Sequence, residues 1–420
     1  MKNGLLLTAL AAMVVTACGD GDWNDTPAPQ DQVVLDEIVA FGPITGFGSV
    51  VVNGVHFDTA STTVTMDDQP GTPSDLRLGM VVSVIGTIDP ATGTNTAGEI
   101  DFVDNAEGPI SSIDHAAGSF VVLGLTVFVD ELTMFENTAF ENLAAGNVVQ
   151  VSGLWRSQGQ VQATHVIRVA NEFQVGMTME VKGAIDDLDI GNQRFRIGTQ
   201  SCDYSAAALE LGGSDLANGL YVEASSTTPI NGEHMMLNRV QAREQDRNRF
   251  QLCEADCAFE LIGYVTLFVS ATEFEVDGHP ATTTPDTVYV NGTVDSLALD
   301  VLIGVEGTVN AEGVLVAERI VFRLPSLVEI KADIGAIDPD NSAITVLGIA
   351  VQTNEFTLFH DHTTPGPQDF GFDDLAVGDR VEIRAFVDAA SVVASRLDRE
   401  IPDDVVTLKA LVEEVDRPSI

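Results

Sequence analysis

The chain has 420 residues, of which 63 are acidic and only 20 are Lys or Arg, giving a formal net charge of −43. Nucleic acid is thereby excluded as a partner, because affinity for it comes mainly from Lys and Arg neutralising phosphates. The same charge opposes contact between the protein body and anionic lipid head groups, while 45% hydrophobic against 20% charged residues excludes global disorder.

At the N-terminus Lys2 precedes an apolar run over 5–15 and then Val15, Thr16, Ala17 and Cys18. The run is shorter than the roughly 20 apolar residues of a membrane span, so it reads as a secretory signal. The small residues before Cys18 resemble the lipobox of bacterial lipoproteins, in which that Cys becomes the acylated first residue; the plainer alternative is an ordinary signal cut near a Cys. Residues 1–17 are thus expected to be a lipoprotein signal peptide and 18–40 an acylated tether. Gly19 after the Cys favours, by the same resemblance, delivery to the outer membrane. The expected location is the bacterial cell envelope, with a lipid on Cys18 as the membrane attachment. About 20 flexible residues span roughly 25 Å on average, enough to clear lipid head groups.

Beyond the tether the phrase L-x-x-G-x-x-V-x-V-x-G, or a degraded form of it, recurs from Leu76, Leu143, Leu216, Leu297 and Leu375. A second phrase, A-x-x-[IV], follows at Ala97, Ala163, Ala317 and Ala394, with Leu237 in place of the alanine in the third copy. Such self-similarity marks a tandem array. The repeats run over 41–104, 107–171, 178–244, 258–323 and 328–400. Copies three and four depart most, with Ser226 at the final Gly position and Asp300 at the first. Residues 405–420 start an incomplete sixth copy, because 406–412 repeats the phrasing of 328–334; alternatively this strand completes another repeat's sheet.

In the second copy, strands are predicted over 108–114, 119–123, 125–130, 147–153 and 160–169, with a looser segment over 134–145. Alternation at period two, β-branched residues and corner glycines indicate strands, and no stretch sustains a helical stripe. Five strands in so short a unit cover their apolar faces by closing a small bent sheet. Taken together, the opening G-x-[IV] strand, the V-x-G hairpin and the two phrases resemble a bacterial family of unknown function that occurs as tandem OB-like β-barrels in secreted and lipid-anchored proteins. That resemblance covers nearly all of 41–400. It implies an all-β tandem array of about five small five-stranded OB-like β-barrel modules, and it brings no activity with it.

Candidate site residues are few. An Asp or Asn recurs near the end of the third strand at Asp58, Asp130, Asp203, Asn291 and Asn354. This fits either a repeated cation ligand or a repeated turn, and the turn is preferred because no calcium-type D-x-D-x-D-G loop is present. His360, Asp361 and His362 form the nearest approach to a transition-metal motif, but two imidazoles without a third ligand read as a solvated loop. Trp155, Tyr204, Tyr221 and Tyr289 are the aromatics that a glycan would use, weighed against ordinary core or surface positions. Cys253 and Cys257 are close enough to form a disulfide across a turn, with a bridge from Cys202 to either as the alternative. Nucleophile elbows, Walker loops and H-E-x-x-H are missing. The sequence therefore reads as a non-enzymatic envelope lipoprotein acting as a modular scaffold or binding protein. No cofactor or dedicated metal site is expected, divalent cations bind only weakly and diffusely, and a protein or glycan is the ligand class left open. The alternative is an envelope hydrolase or glycan-modifying protein with one site in a divergent repeat, the third or fifth.

Overall fold

Valines and isoleucines at alternate positions give each repeat strands with one buried face. The computed structural model describes residues 36–89, 94–230, 232–243, 257–364, 369–388 and 391–410. The expected signal peptide, Cys18, most of the expected tether, Cys253 and residues 411–420 lie outside them. The fold is all-β with short 3-10 turns, and among the described residues no helix is long and apolar enough to cross a membrane.

The second repeat illustrates the local plan. Its opening strand Ala106–Asp114 pairs antiparallel with Ser119–Val122, which pairs with Leu125–Phe128. Leu125–Phe128 and the short Met134–Glu136 both run parallel to the closing strand Gln160–Ala170. Val148–Ser157, which carries the V-x-V-x-G phrase, then pairs with both the closing and the opening strands, so the ladder returns on itself.

The ladder does not stop at the repeat boundary, and this corrects the expectation of discrete five-stranded OB-like β-barrel modules. Ala106–Asp114 also pairs with Met179–Ala184 of the third repeat. The first repeat's opening strand Asp36–Gly46 runs parallel to Ala258–Ser270 of the fourth, with Ile38 opposite Ala258 and Phe41 opposite Leu261. Repeats one and four thus share a 12-stranded sheet, and two and three a 10-stranded sheet. The cores are shared as well. One apolar cluster runs from Phe120 and Val151 of the second repeat to Met179 and Val240 of the third; another joins Phe259 and Ile303 of the fourth to Phe41 of the first and Leu154 of the second. The architecture is a continuous β-repeat structure of the solenoid type, in the sense that ladders and core carry on from one repeat into another. The reason is that short repeats bury too little apolar surface alone, so exposed strand edges are covered by other repeats.

At the other end of the array, Thr407–Lys409 pairs antiparallel with Val328–Asp338, setting Leu408 opposite Ile330. This segment therefore adds to the fifth repeat's sheet.

Candidate functional site

The recurrent residues account for one another. In four copies a threonine hydroxyl donates to the carbonyl of the phrase alanine: Thr62 to Ala97 at 2.8 Å, Thr133 to Ala163 at 2.8 Å, Thr287 to Ala317 at 2.7 Å and Thr357 to Ala394 at 2.8 Å. The carbonyl is free to accept because a bulge interrupts the ladder beside it. Gly86 faces Ala97, Gly153 faces Ala163, Gly307 faces Ala317 and Ala385 faces Ala394, each with one extra residue on the closing strand. A Cβ on Gly153 would lie 2.2 Å from the Gln162 carbonyl oxygen, and one on Gly307 would lie 2.1 Å from that of Val316. The first Gly of the phrase has positive φ, as at Gly146 (92°), and Asp300 takes the same left-handed region at 64°. The repeat-defining residues are thus engaged in folding.

The Asx positions fall into this plan. Asp58, Asp130, Asp203 and Asn354 each accept the backbone N–H two residues on, at 2.9, 2.9, 3.1 and 3.0 Å. Asn291 does not belong to the set. The equivalent place in the fourth repeat is held by Thr284, whose hydroxyl accepts the Asp286 N–H at 3.2 Å, while Asn291 sits at a turn with φ 60°.

Of the aromatic candidates, Tyr204 is buried and stacks on Phe195 with ring centroids 5.7 Å apart, and Tyr289 packs against the fourth repeat's core. Trp155 and Tyr221 meet edge to face at 6.4 Å and share the lining of a cavity of about 230 Å³ with Asp277 and His279. A second cavity, of about 270 Å³, lies where repeats one, two, four and five meet, lined by Asn53, Gln162, Tyr264 and Arg323 among others. Arg323 lies 3.7 Å over the Phe356 ring, and burial lowers its pKa to about 10.

Two clusters among the described residues bring three metal-ligating groups within reach of one ion. The first, Asp67, Asp104 and Glu180, surrounds the fully buried Lys182, whose Nζ stands 3.2, 2.5 and 2.9 Å from the three carboxylates. Burial opposes the ammonium charge, but these carboxylates and Glu223 outweigh it and hold the Lys182 pKa well above the usual value. Nearby, Arg243 bridges Glu223 of the third repeat to Asp68 of the first. The neighbouring Glu107 is pushed up to about 7, by burial first and then by the Glu180 and Asp67 charges. Lys182 takes the place a cation would occupy, so this cluster is a charged joint between repeats one and three, to which Gln150 of the second repeat adds a hydrogen bond to Asp67 at 3.3 Å.

The second cluster contains the His360 and His362 read from sequence, and adds Asp398, which sequence reasoning missed. Leu358–Asp361 runs parallel to Ser391–Glu400 with His360 opposite Asp398 and Asp361 opposite Arg399. His360 Nδ1 and His362 Nε2 each lie 3.3 Å from Asp398 Oδ1, and His362 Nε2 lies 3.6 Å from Glu400 Oε1. Arg396 grips Asp398 with Nε at 2.7 Å and Nη2 at 2.8 Å. Burial works against the Asp398 charge, yet the two imidazoles and Arg396 hold its pKa far below the usual range. The hydrogen bond to Asp398 raises His362. Asp361 is not part of the cluster, because Arg399 and Thr363 engage its carboxylate. Only the 38-residue separation hid Asp398; the signal was D-x-E at 398–400, facing H-x-H at 360–362 in the same repeat.

Cys257 is disulfide-bonded, and its partner lies outside the described residues. Cys202 is a free, buried thiol whose pKa burial pushes up to about 12, so the bridge to Cys202 does not form.

A solved structure described as "drosophila Unr CSD456" is similar over 50% of this chain and 97% of that chain, at 11% identity and a TM-score of 0.16, too slight a likeness to carry an argument. No curated protein matches the chain. The family model for a domain of unknown function, DUF5666, matches residues 41–101, 107–167, 262–321 and 333–398, leaving the third repeat unmatched. With more than half of its length covered by four such matches, the chain belongs to the DUF5666 family.

Proposed function

We propose that this protein is a non-enzymatic scaffold or binding protein of the bacterial cell envelope, held to the membrane by a lipid on Cys18. The observation that carries the scaffold reading is the joint around Lys182 and Arg243, which ties the third repeat to the first by buried, charge-assisted hydrogen bonds. A body whose repeats are fixed in this way presents its surfaces at constant spacing. The disulfide at Cys257 supports export, since such bonds persist in oxidising compartments, and Cys253 is its proposed partner. The lipid anchor rests on the N-terminal sequence alone.

The experiment is envelope fractionation with lipid analysis by mass spectrometry, followed by pull-down from native envelope. The wild type partitions with membranes and carries acyl chains, and Cys18→Ser releases it. A wild type without lipid, or a membrane-bound Cys18→Ser, contradicts the anchor. A protein or glycan recovered with the wild type and reproduced with purified components supports the binding role. A second reading, a single glycan-binding or hydrolytic site in the fifth repeat, draws on the His360, His362 and Asp398 cluster, which has no counterpart among the described residues of the other repeats. Turnover of an envelope glycan, lost on changing these residues, would favour it.

A further inference from the structure

We propose that His360, His362, Asp398 and Glu400 form a binding site for a divalent transition-metal ion of the zinc class, independently of the scaffold reading. Residues two apart on a strand share a face, as Asp398 and Glu400 do; on the parallel neighbour His360 lies in the strand Leu358–Asp361, and His362, in the turn just after it, is kept alongside by its N–H donating to the Arg399 carbonyl at 2.9 Å. The register with His360 opposite Asp398 brings them together. The ligand atoms of His360, His362 and Asp398 all lie within 4.8 Å of one another.

The spacing matches the ion. Two donors at 2.0–2.1 Å from a tetrahedral zinc stand about 3.3 Å apart, and both imidazole nitrogens lie 3.3 Å from Asp398 Oδ1. Glu400 Oε1, 3.6 Å from His362 Nε2, stands beside this three-ligand group as the carboxylate that would close on the ion as a fourth ligand. Arg396 holds Asp398 in orientation, as outer partners do at metal centres, and its Nη1 is anchored by the Glu131 carbonyl at 2.9 Å. The histidine side chains retain 27% and 41% exposure, which leaves an entry path. Imidazole with carboxylate selects zinc, copper or nickel over calcium and magnesium. The Asp67, Asp104 and Glu180 cluster offers no such site, because Lys182 fills it.

The test is calorimetric titration of the chelator-stripped protein with zinc chloride in millimolar calcium and magnesium. One saturable site is expected, weakened at least about tenfold by a His360→Gln/His362→Gln double substitution, since even outer-shell changes cost that much, and unaffected by His115→Gln. Heats that never saturate, or a saturable site undiminished in a double variant that melts like the wild type without metal, overturn the proposal. A measurement on the wild type alone guards against a variant that misfolds: zinc protects His360 and His362 from diethyl pyrocarbonate, mapped by peptide mass spectrometry. Equal modification with and without zinc also overturns it.

Discussion

The hydroxyl of Thr133 donates to the carbonyl oxygen of Ala163 at 2.8 Å, across 30 residues of chain, and both residues are buried. The same bond closes three other repeats, so it is a structural unit of this chain. Thr133→Val keeps the shape and removes the donor, leaving a buried acceptor beside a bulge. The expected loss is about 1–2 kcal/mol, read from denaturant unfolding, with Thr287→Val and Thr357→Val behaving alike. A neutral outcome at all three would remove the hydroxyl from the account of the fold.

Lys182 is the single cation among three carboxylates, and it is wholly buried. Lys182→Met fills the same space without the charge, so the first and third repeats should loosen by about 3–5 kcal/mol, the usual cost of stranding one side of a buried ion pair. The loss is larger at alkaline pH, because burial and then the Asp67 charge hold the Asp104 pKa well above the usual range and it gains its charge as pH rises. Thermal melts from pH 5 to 9 check this, and a pH-independent effect would mean that packing and not charge holds the joint.

Glu260 faces Glu306 across an antiparallel ladder, and burial first, then the Glu306 charge, pushes its pKa from 4.5 to about 8. A carboxyl whose pKa is raised on folding stabilises the folded state below 4.5, and that contribution is lost as pH rises through about 8. Glu260→Gln mimics the neutral form. It should therefore stabilise the protein by roughly 1–3 kcal/mol at pH 8 to 9, as expected for a shift of this size discounted for partial exposure, and by little at pH 4.5. Equal effects at both pH values would show that Glu260 does not titrate with folding.

The Asp carboxylates at positions 58, 130 and 203 are already occupied by backbone N–H groups. Calcium should accordingly raise the melting temperature only at millimolar levels, much as magnesium does. A saturable micromolar calcium response lost in Asp58→Ala or Asp130→Ala would make these residues ligands.

Much of the local structure is legible in the sequence, because it is local physics. Gly146 and Gly153 mark a left-handed turn and a bulge, and alternating valines mark the strands between them. The turn role of Asp58 and Asp130 follows from side-chain chemistry, whereas Asn291 misled because Thr284 performs the same task with a hydroxyl. What the phrases do not encode is which repeat meets which. The pairing of Ile38 with Ala258 joins segments some 220 residues apart, and nothing in period or spacing names a partner for an exposed edge. The cluster around His360 was half visible for the same reason: the histidines are neighbours in sequence, while Asp398 arrives only through strand register.

The continuity of the array is tested most directly by hydrogen exchange across the first and fourth repeats. Residues 38–41 pair in parallel with residues 258–261, and Phe259 is 1% exposed in the core behind that ladder. Phe259→Ala should cost about 3–5 kcal/mol locally. If ladder and core are shared, amides at 38–41 lose protection together with those at 258–261. Full protection at 38–41 in the variant, with exchange confined to the fourth repeat, would contradict a continuous structure and restore independent modules.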